Sequence, residues 1–585
     1  MLENIFTFAL FFLPGTFFCY ILFPKTDLVK RVVFSMLLAV SLSGLLGIIL
    51  YYFGQFSSIN MVLGLLILSI IFALFLTCKK KEFQTYVNKD IGFITLLSLI
   101  GSLAKLYFFN SISNISDAYG YAFNFVGKKV PDLGFYTGMA TDRASYIGLN
   151  VIKNIQDIFL THNTFILYFL ITFLFLGLIY IVFLEYRENR VLALAAVALM
   201  SFGPIELFHN LISPSGHSLS YISLLPFFLY FKSKDKNLFW VCLLIALTMM
   251  FTYYTTTIIM IIASCGFICA MGIKKIYHGK IEMRKLFGFL CIIVVLTGYV
   301  YIGTGLWNYS FGRLTDDSSF NTSLNLVSSS IGESVANNTH SNFYKNPSIL
   351  GLSAIRWQAL FFFVCGLTFV WYICKLLSQR KYEEFLTEYT IDLLLCLIPV
   401  VLVSLAFFFL YLPARIFDYF AFFGLLVLCI HKKYYRAFLI FSVSFILITS
   451  LFVARDTKVF FDLSPQESQG AMWVSKHLEG RIFTDMVFAN QLIGQKYYNV
   501  TGTDDNNILV SSIFYQNNKD VFIQAIAQLK DNNISYIAIT KRMKNNYVLM
   551  VNYPQRAIDT LTFFDYLPKV FDNGDVEIYS TAISL

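Results

Sequence analysis

Charge is what this sequence has least of. Only 14% of its 585 residues are Asp, Glu, Lys or Arg, where a soluble domain carries about a quarter, so most of its surface is not built to face water. Cysteine is missing from every long polar loop. Cys19, Cys78, Cys242, Cys265, Cys269, Cys291, Cys365, Cys374, Cys396 and Cys429 all lie within or at the ends of apolar runs. That placement excludes a disulfide framework, and no spacing among them fits a zinc site. No basic stretch precedes the first apolar segment, which is therefore expected to stay as a helix and not to be cleaved as a signal peptide. Internal repeats and low-complexity tracts are missing too. What the sequence does have is Phe (63) and Tyr (36), residues suited to lipid-facing helices and their interfacial belts.

Apolar segments of about 17–25 residues are long enough to cross a bilayer as helices. They fall at roughly 4–24, 31–53, 58–77, 91–109, 162–184, 191–208, 218–231, 237–252, 254–273, 286–305, 355–378, 389–410, 414–430 and 434–453. Alternate short loops carry the basic residues: Lys25, Lys30 and Arg31, then Lys79–Lys81, Arg187 and Arg190, Lys232, Lys234 and Lys236, Lys274 and Lys275, Lys375 and Arg380, and Lys432 and Lys433. The intervening short loops have none. By the positive-inside rule the N-terminus, the long loops 110–161 and 306–354 and the tail from 455 are expected outside. The net charge of +9 is thus a matter of topology. Membrane lipids are expected partners, and nucleic acid is not.

The tail changes character. Ser464-Pro465-Gln466-Glu467 is a capping box with Pro at the first helical position, opening a helix to about Leu478. Strands are expected at 481–486, 508–514 and 534–540, helices near 519–531 and 554–564, and Asn573-Gly574 signals a hairpin before Val576–Ser580. The expected fold is an α-helical polytopic membrane protein of about fourteen transmembrane helices, with a C-terminal extracytoplasmic α/β domain, in the plasma membrane.

Ionisable groups near hydrocarbon are costly, so each needs a reason. Lys105, Glu206, His209, His217, Arg356 and Arg415 map to the outer ends of their expected helices or to adjoining loops, and Asp117 with Tyr119 lies early in the loop 110–161. Only Asp392 falls near an inner end on this reading. Arg415 follows Pro413 by two positions inside a Phe-rich span, and its donor fork suits a phosphate or pyrophosphate. Asp117, just beyond a helix end and beside aromatic residues, suits a general base for an acceptor hydroxyl; it equally suits a helix cap. Lys105 and Arg356 also fit interfacial anchors, and the histidines flank the turn Ser213-Pro214-Ser215-Gly216. No metal site is readable, and a divalent metal is compatible with the pattern.

The arrangement resembles the GT-C class of integral-membrane glycosyltransferases, which use polyprenyl-phosphate sugars. There, a helix running outward leads into a large first outer loop with an early catalytic acid. On this resemblance 1–90 are extra N-terminal helices, 91–305 the catalytic core, 306–354 a long outer loop, 355–454 further helices and 455–585 the soluble domain. It implies Asp117 as base and Arg415, with Lys105 or Arg356, as neutraliser of the leaving phosphate. Glu206, His209, His217 and Tyr119 would then contact donor or acceptor. The donor would be a polyprenyl-phosphate-linked sugar, and the acceptor a cell-envelope glycan, a lipid or a protein. Ser330-Ile331-Gly332-Glu333 resembles a short loop motif of oligosaccharyltransferases, whereas their Trp-Trp-Asp acceptor motif is missing. A lipid-sugar transporter or flippase, an envelope polymerase or ligase, and a non-catalytic scaffold share many of these features.

Overall fold

The computed structural model describes residues 2–78, 83–109, 164–187, 189–201, 216–250, 254–278 and 282–299, a few positions between 395 and 444, residues 464–485, scattered positions from 488 to 514 that include 499–502, and most of 518–545 and 563–582. These fall into two compact units, a helical bundle and a C-terminal domain.

Ten helices stand in the described part of the bundle: α1 (Leu2–Leu22), α2 (Leu28–Tyr52), α3 (Ser58–Cys78), α4 (Asp90–Phe109), α5 (Thr164–Arg187), α6 (Arg190–Ser201), α7 (Gly216–Lys232), α8 (Leu238–Met250), α9 (Tyr254–His278) and α10 (Met283–Gly298). Each coincides with one of the first ten expected spans. At 1.5 Å per residue the 21 residues of α3 reach about 31 Å, a bilayer's hydrocarbon thickness. Residues 28–50, 59–78, 169–186 and 256–276 are long and apolar enough to cross a membrane, and shorter apolar helices cover 9–22, 90–103, 222–232 and 238–250. The four later expected spans lie outside the described residues, apart from the helical positions at 395, 398–403 and 444.

α3 presents an apolar outer face. Leu63, Leu66, Ile67, Ile70, Ile71 and Leu74 of α3 are exposed, a face that only lipid or another apolar surface can cover. Inside, small residues let helices approach. A Cβ at Gly15 of α1 would overlap the backbone of Ser35 and Ala39 on α2, and Thr248 of α8 donates its hydroxyl to the Ser41 carbonyl of α2 at 3.1 Å. Elsewhere aromatic rings fill the space: Phe267 of α9 contacts Phe228 and Phe231 of α7 and Phe289 of α10, each at a centroid separation of 5.1 Å.

The C-terminal domain holds α11 (Pro465–His477), β3 (Arg481–Thr484), β4 (Val500–Gly502), α12 (Lys519–Asp531), β5 (Ile534–Thr540), α13 (Lys541–Asn545), β6 (Lys569–Asp572) and β7 (Val576–Ser580). The capping box at Ser464 is formed in both directions. The sheet runs β4-β3-β5-β7-β6, with β4, β3 and β5 parallel and the β6–β7 hairpin antiparallel. Alternation along each strand sorts its side chains onto two faces. Phe483, Ile537, Ile539 and Tyr579 pack with Phe522, Ile526 and Leu529 of α12. Ile482, Ala538 and Ile578 pack with Ala471 and Val474 of α11.

One expected strand is corrected. At 508–514 the described positions Ile513 and Phe514 are helical and buried in the α12-side core, and the strand beside β3 is Val500–Gly502. A short buried apolar run has the same composition in a helix as in a strand, so its pattern does not separate them. Of the helix expected at 554–564, only a 3₁₀ turn starting at Phe563 lies within the described residues.

Candidate functional site

The ends of the helices that carry the basic loops are tied together. Next to α1 and α2, a short strand β1 (Lys25–Asp27) pairs in parallel with β2 (Gln84–Tyr86), with Lys25 opposite Gln84 and Asp27 opposite Tyr86. Buried Arg31 donates to the carbonyls of Phe23 at 2.5 Å and Pro24 at 3.0 Å and lies 3.9 Å from the centre of the Tyr20 ring. It thereby satisfies carbonyls where α1 ends, groups a helix cannot pair internally. Lys30 pairs with Glu185 at 3.4 Å. Asn237 donates to the Leu22 carbonyl at 2.5 Å. Buried Lys285 donates to the Phe231 carbonyl at 2.9 Å and pairs with Glu282 at 2.8 Å.

The densest knot is at Asp90, the first residue of α4, which is only 2% exposed. Arg190 Nε lies 2.7 and 2.8 Å from its two carboxylate oxygens, Arg190 Nη2 also donates to it, and the Tyr180 hydroxyl donates at 2.6 Å. Asn88 donates in turn to the Tyr180 oxygen at 3.3 Å. One carboxylate thus joins α4, α5 and α6. A buried carboxylate with this many donors is satisfied; stripped of them it would be strongly destabilising.

This corrects the expectation that polar groups concentrate at one set of helix ends, the outer ones. Asp90 and Arg190 sit at the very edges of their apolar runs, so along the sequence they look like solvated loop charges. Folding buries the acid. The detectable signal was an Asp opening an apolar helix with an Arg opening another.

Helix continuity fixes where the sequence-derived candidates attach. With α4, α6 and α7 held at Asp90, Arg190 and Phe231, their opposite ends are Phe109, Ser201 and Gly216. Lys105 lies on the last turns of α4, and His217 is the second residue of α7. Asp117 and Tyr119 follow α4, and Glu206 and His209 follow α6; these four, with Arg356 and Arg415, lie outside the described residues, as do the motif 330–333 and Asp392. Near these far ends α4, α5 and α6 converge: a Cβ at Gly101 would stand 3.3 Å from the Ser201 carbonyl oxygen and 3.6 Å from Thr172 Cγ2. Gly101 is one turn before Lys105, and Ser201 five residues before Glu206.

In the C-terminal domain a second polar group stands where β3 and β5 end. Buried Asp485 accepts from the Thr540 hydroxyl at 2.8 Å and from the Phe488 backbone N–H at 3.0 Å, so its oxygens cap a helical turn and link two strands. Among the described residues no three His, Cys, Asp or Glu side chains converge as metal ligands would.

No family model and no curated protein sequence matches the chain. Among solved structures it is similar to an oligosaccharyltransferase of Archaeoglobus fulgidus tethered to an acceptor peptide, at 12% identity and a TM-score of 0.43, with 78% of this chain and 70% of that one covered. It is also similar to the oligosaccharyltransferase AglB of the same archaeon in complex with an inhibitory peptide and a dolichol-phosphate, at 11% identity and a TM-score of 0.43, covering 82% and 73%. At that identity and TM-score the likeness assigns neither substrate nor residue roles. The chain is a multi-helix protein with long apolar spans, and its structure is similar to those of archaeal oligosaccharyltransferases.

Proposed function

We propose that this protein is a membrane glycosyltransferase that moves a sugar from a polyprenyl-phosphate donor to a hydroxyl-bearing acceptor at the outer face of the plasma membrane. The observation that carries this reading is the sidedness of the bundle. The described polar knots hold one set of helix ends, and Lys105 and His217 lie at the opposite ends of α4 and α7; Asp117 follows α4 in the sequence, and Glu206 and His209 follow α6. A polyprenyl phosphate presents its charge at the membrane surface, where such a set would meet it.

In this scheme Asp117 accepts the proton of the acceptor hydroxyl as that oxygen attacks the sugar's anomeric carbon. The bond to the phosphate oxygen breaks, and negative charge grows on the leaving phosphate. Arg415, with Lys105 and Arg356, meets that charge with fixed cations, an arrangement that lowers the barrier only if the cations are in place beforehand. Glu206, His209, His217 and Tyr119 hold the sugar or the acceptor by hydrogen bonds. A divalent cation is compatible with this scheme, which assigns it no ligand. The missing Trp-Trp-Asp motif favours an envelope glycan, lipid or protein hydroxyl over an asparagine side chain as acceptor.

The test is turnover in membranes with a polyprenyl-phosphate-linked sugar. Asp117→Asn is expected to lower the rate by about 10²-fold or more, the usual worth of a general base, and Arg415→Ala to lower it comparably. Near-normal turnover in both variants would remove the assignment.

A further inference from the structure

α4 is the helix that leads into the loop carrying Asp117, and its grip on its neighbours is unusual. Along its described side chains the buried positions are Asp90, Ile94, Ser98, Gly101 and Ser102, while Phe93, Leu96, Leu99, Ile100 and Leu103 are exposed. The fully buried stripe therefore has one large apolar residue, Ile94, with Ile91 and Leu97 half-buried at its flanks. Its two serines turn their hydroxyls back onto their own helix, Ser98 to the Ile94 carbonyl at 2.7 Å and Ser102 to the Ser98 carbonyl at 2.6 Å. Axial register between packed helices comes from large side chains of one helix lodging between those of another. A stripe of Ser and Gly supplies close approach but few such knobs.

With so few large side chains fully buried, register needs a further hold, and among the described residues a polar contact supplies one. At the first residue of the same stripe the Asp90 carboxylate is held by the Arg190 guanidinium from α6 and the Tyr180 hydroxyl from α5. Bidentate Arg–carboxylate pairs fix geometry as well as charge. α5 begins at Thr164, at the other end of the chain segment that leaves α4. Asp90 thus ties the two helices that flank that segment, and it does so at the ends remote from it.

We infer that Asp90, with Tyr180 and Arg190, is an axial pin: it sets how far α4 extends relative to α5 and α6. Asp90 is a positioning residue, about 30 Å of helix from the far end of α4. Its effect on turnover rests on the glycosyltransferase reading above, but its effect on the helices does not.

The experiment is hydrogen exchange by mass spectrometry on the full chain in lipid nanodiscs, comparing wild type with Asp90→Asn and Arg190→Gln. Arg190 is largely solvent-facing, its side chain 62% exposed, so the second variant keeps a folded reference if the first does not accumulate. The expected result is exchange about threefold faster or more at 104–109 and 164–168, far from the substitution. Asp90→Glu, which keeps the charge, is expected to restore most of the protection. Changes confined to 88–94, 178–182 and 188–194 would overturn the pin and leave only a local ion pair. In the same variants the pin predicts a fall in kcat of about threefold or more at unchanged donor KM. If Asp117→Asn turns over normally while the remote exchange still quickens, the catalytic reading fails and the pin stands.

Discussion

At Ser464, where the chain enters the C-terminal domain, three interactions meet. Its hydroxyl accepts from the Glu467 N–H at 3.0 Å, its own N–H donates to Glu467 Oε2 at 3.1 Å, and its side chain also hydrogen-bonds Asp575. Ser464→Ala removes the cap and is expected to cost about 1 kcal/mol, read as roughly fivefold faster amide exchange along α11. The Ser464 hydrogen bond, and after it Lys541, holds the Asp575 carboxyl below the usual carboxylate range; the Gly574 N–H and Lys569 do the same for Asp572. Because both are depressed in the folded state, their stabilisation is present above the unfolded value, about 3.9, and is lost as pH falls through the lower folded values. The domain is therefore expected to lose stability on acidification below about pH 4, with Asp575→Asn flattening that dependence in a thermal-unfolding series. The capping box was legible in the sequence because it is local. Asp90 was not: its partners Tyr180 and Arg190 are about a hundred residues away, and nothing in the local pattern joins them.

In the C-terminal domain a helical period or a dense β-branched run was readable, and an apolar stretch with neither was not. α12 carries buried Phe522, Ala525, Ile526 and Leu529 between an Asn518 cap and a closing turn at Asn532, and its expected and observed bounds agree. β5 is rich in β-branched residues, Ile534, Ile537, Ile539 and Thr540, and agrees as well. The stretch around Ile513 and Phe514 is apolar without alternation, so core packing decided it. Two substitutions probe packing at this scale. Ile526→Ala removes a fully buried side chain facing the sheet and is expected to cost about 2–5 kcal/mol, read as a lowered unfolding temperature of the C-terminal domain. In the bundle, a side chain at Gly15 meets backbone on α2 and not a movable side-chain tip. Gly15→Val is therefore expected to reduce the amount of folded protein recovered in detergent, while Gly272→Val, with open space around it, is expected to leave the yield unchanged.

For the whole molecule, composition and loop charge were enough to place ten helices, because a bilayer constrains helix length and loop sign more tightly than water constrains a soluble fold. The later spans and most of the candidate site lie outside the described residues, so their assignment stays with the proposal. Orientation has its own check. Cys78 is exposed at the basic-loop end of α3. In a variant keeping only that cysteine, a membrane-impermeant maleimide is expected to label inside-out vesicles and not right-side-out ones. The central claim is that a lipid-linked donor is consumed outside the membrane. Mass spectrometry of lipid-linked sugars, in cells making the wild-type chain, Asp117→Asn or none, measures that directly. One polyprenyl-phosphate sugar is predicted to accumulate equally in the last two; an unchanged lipid-linked pool in cells without the chain would contradict it.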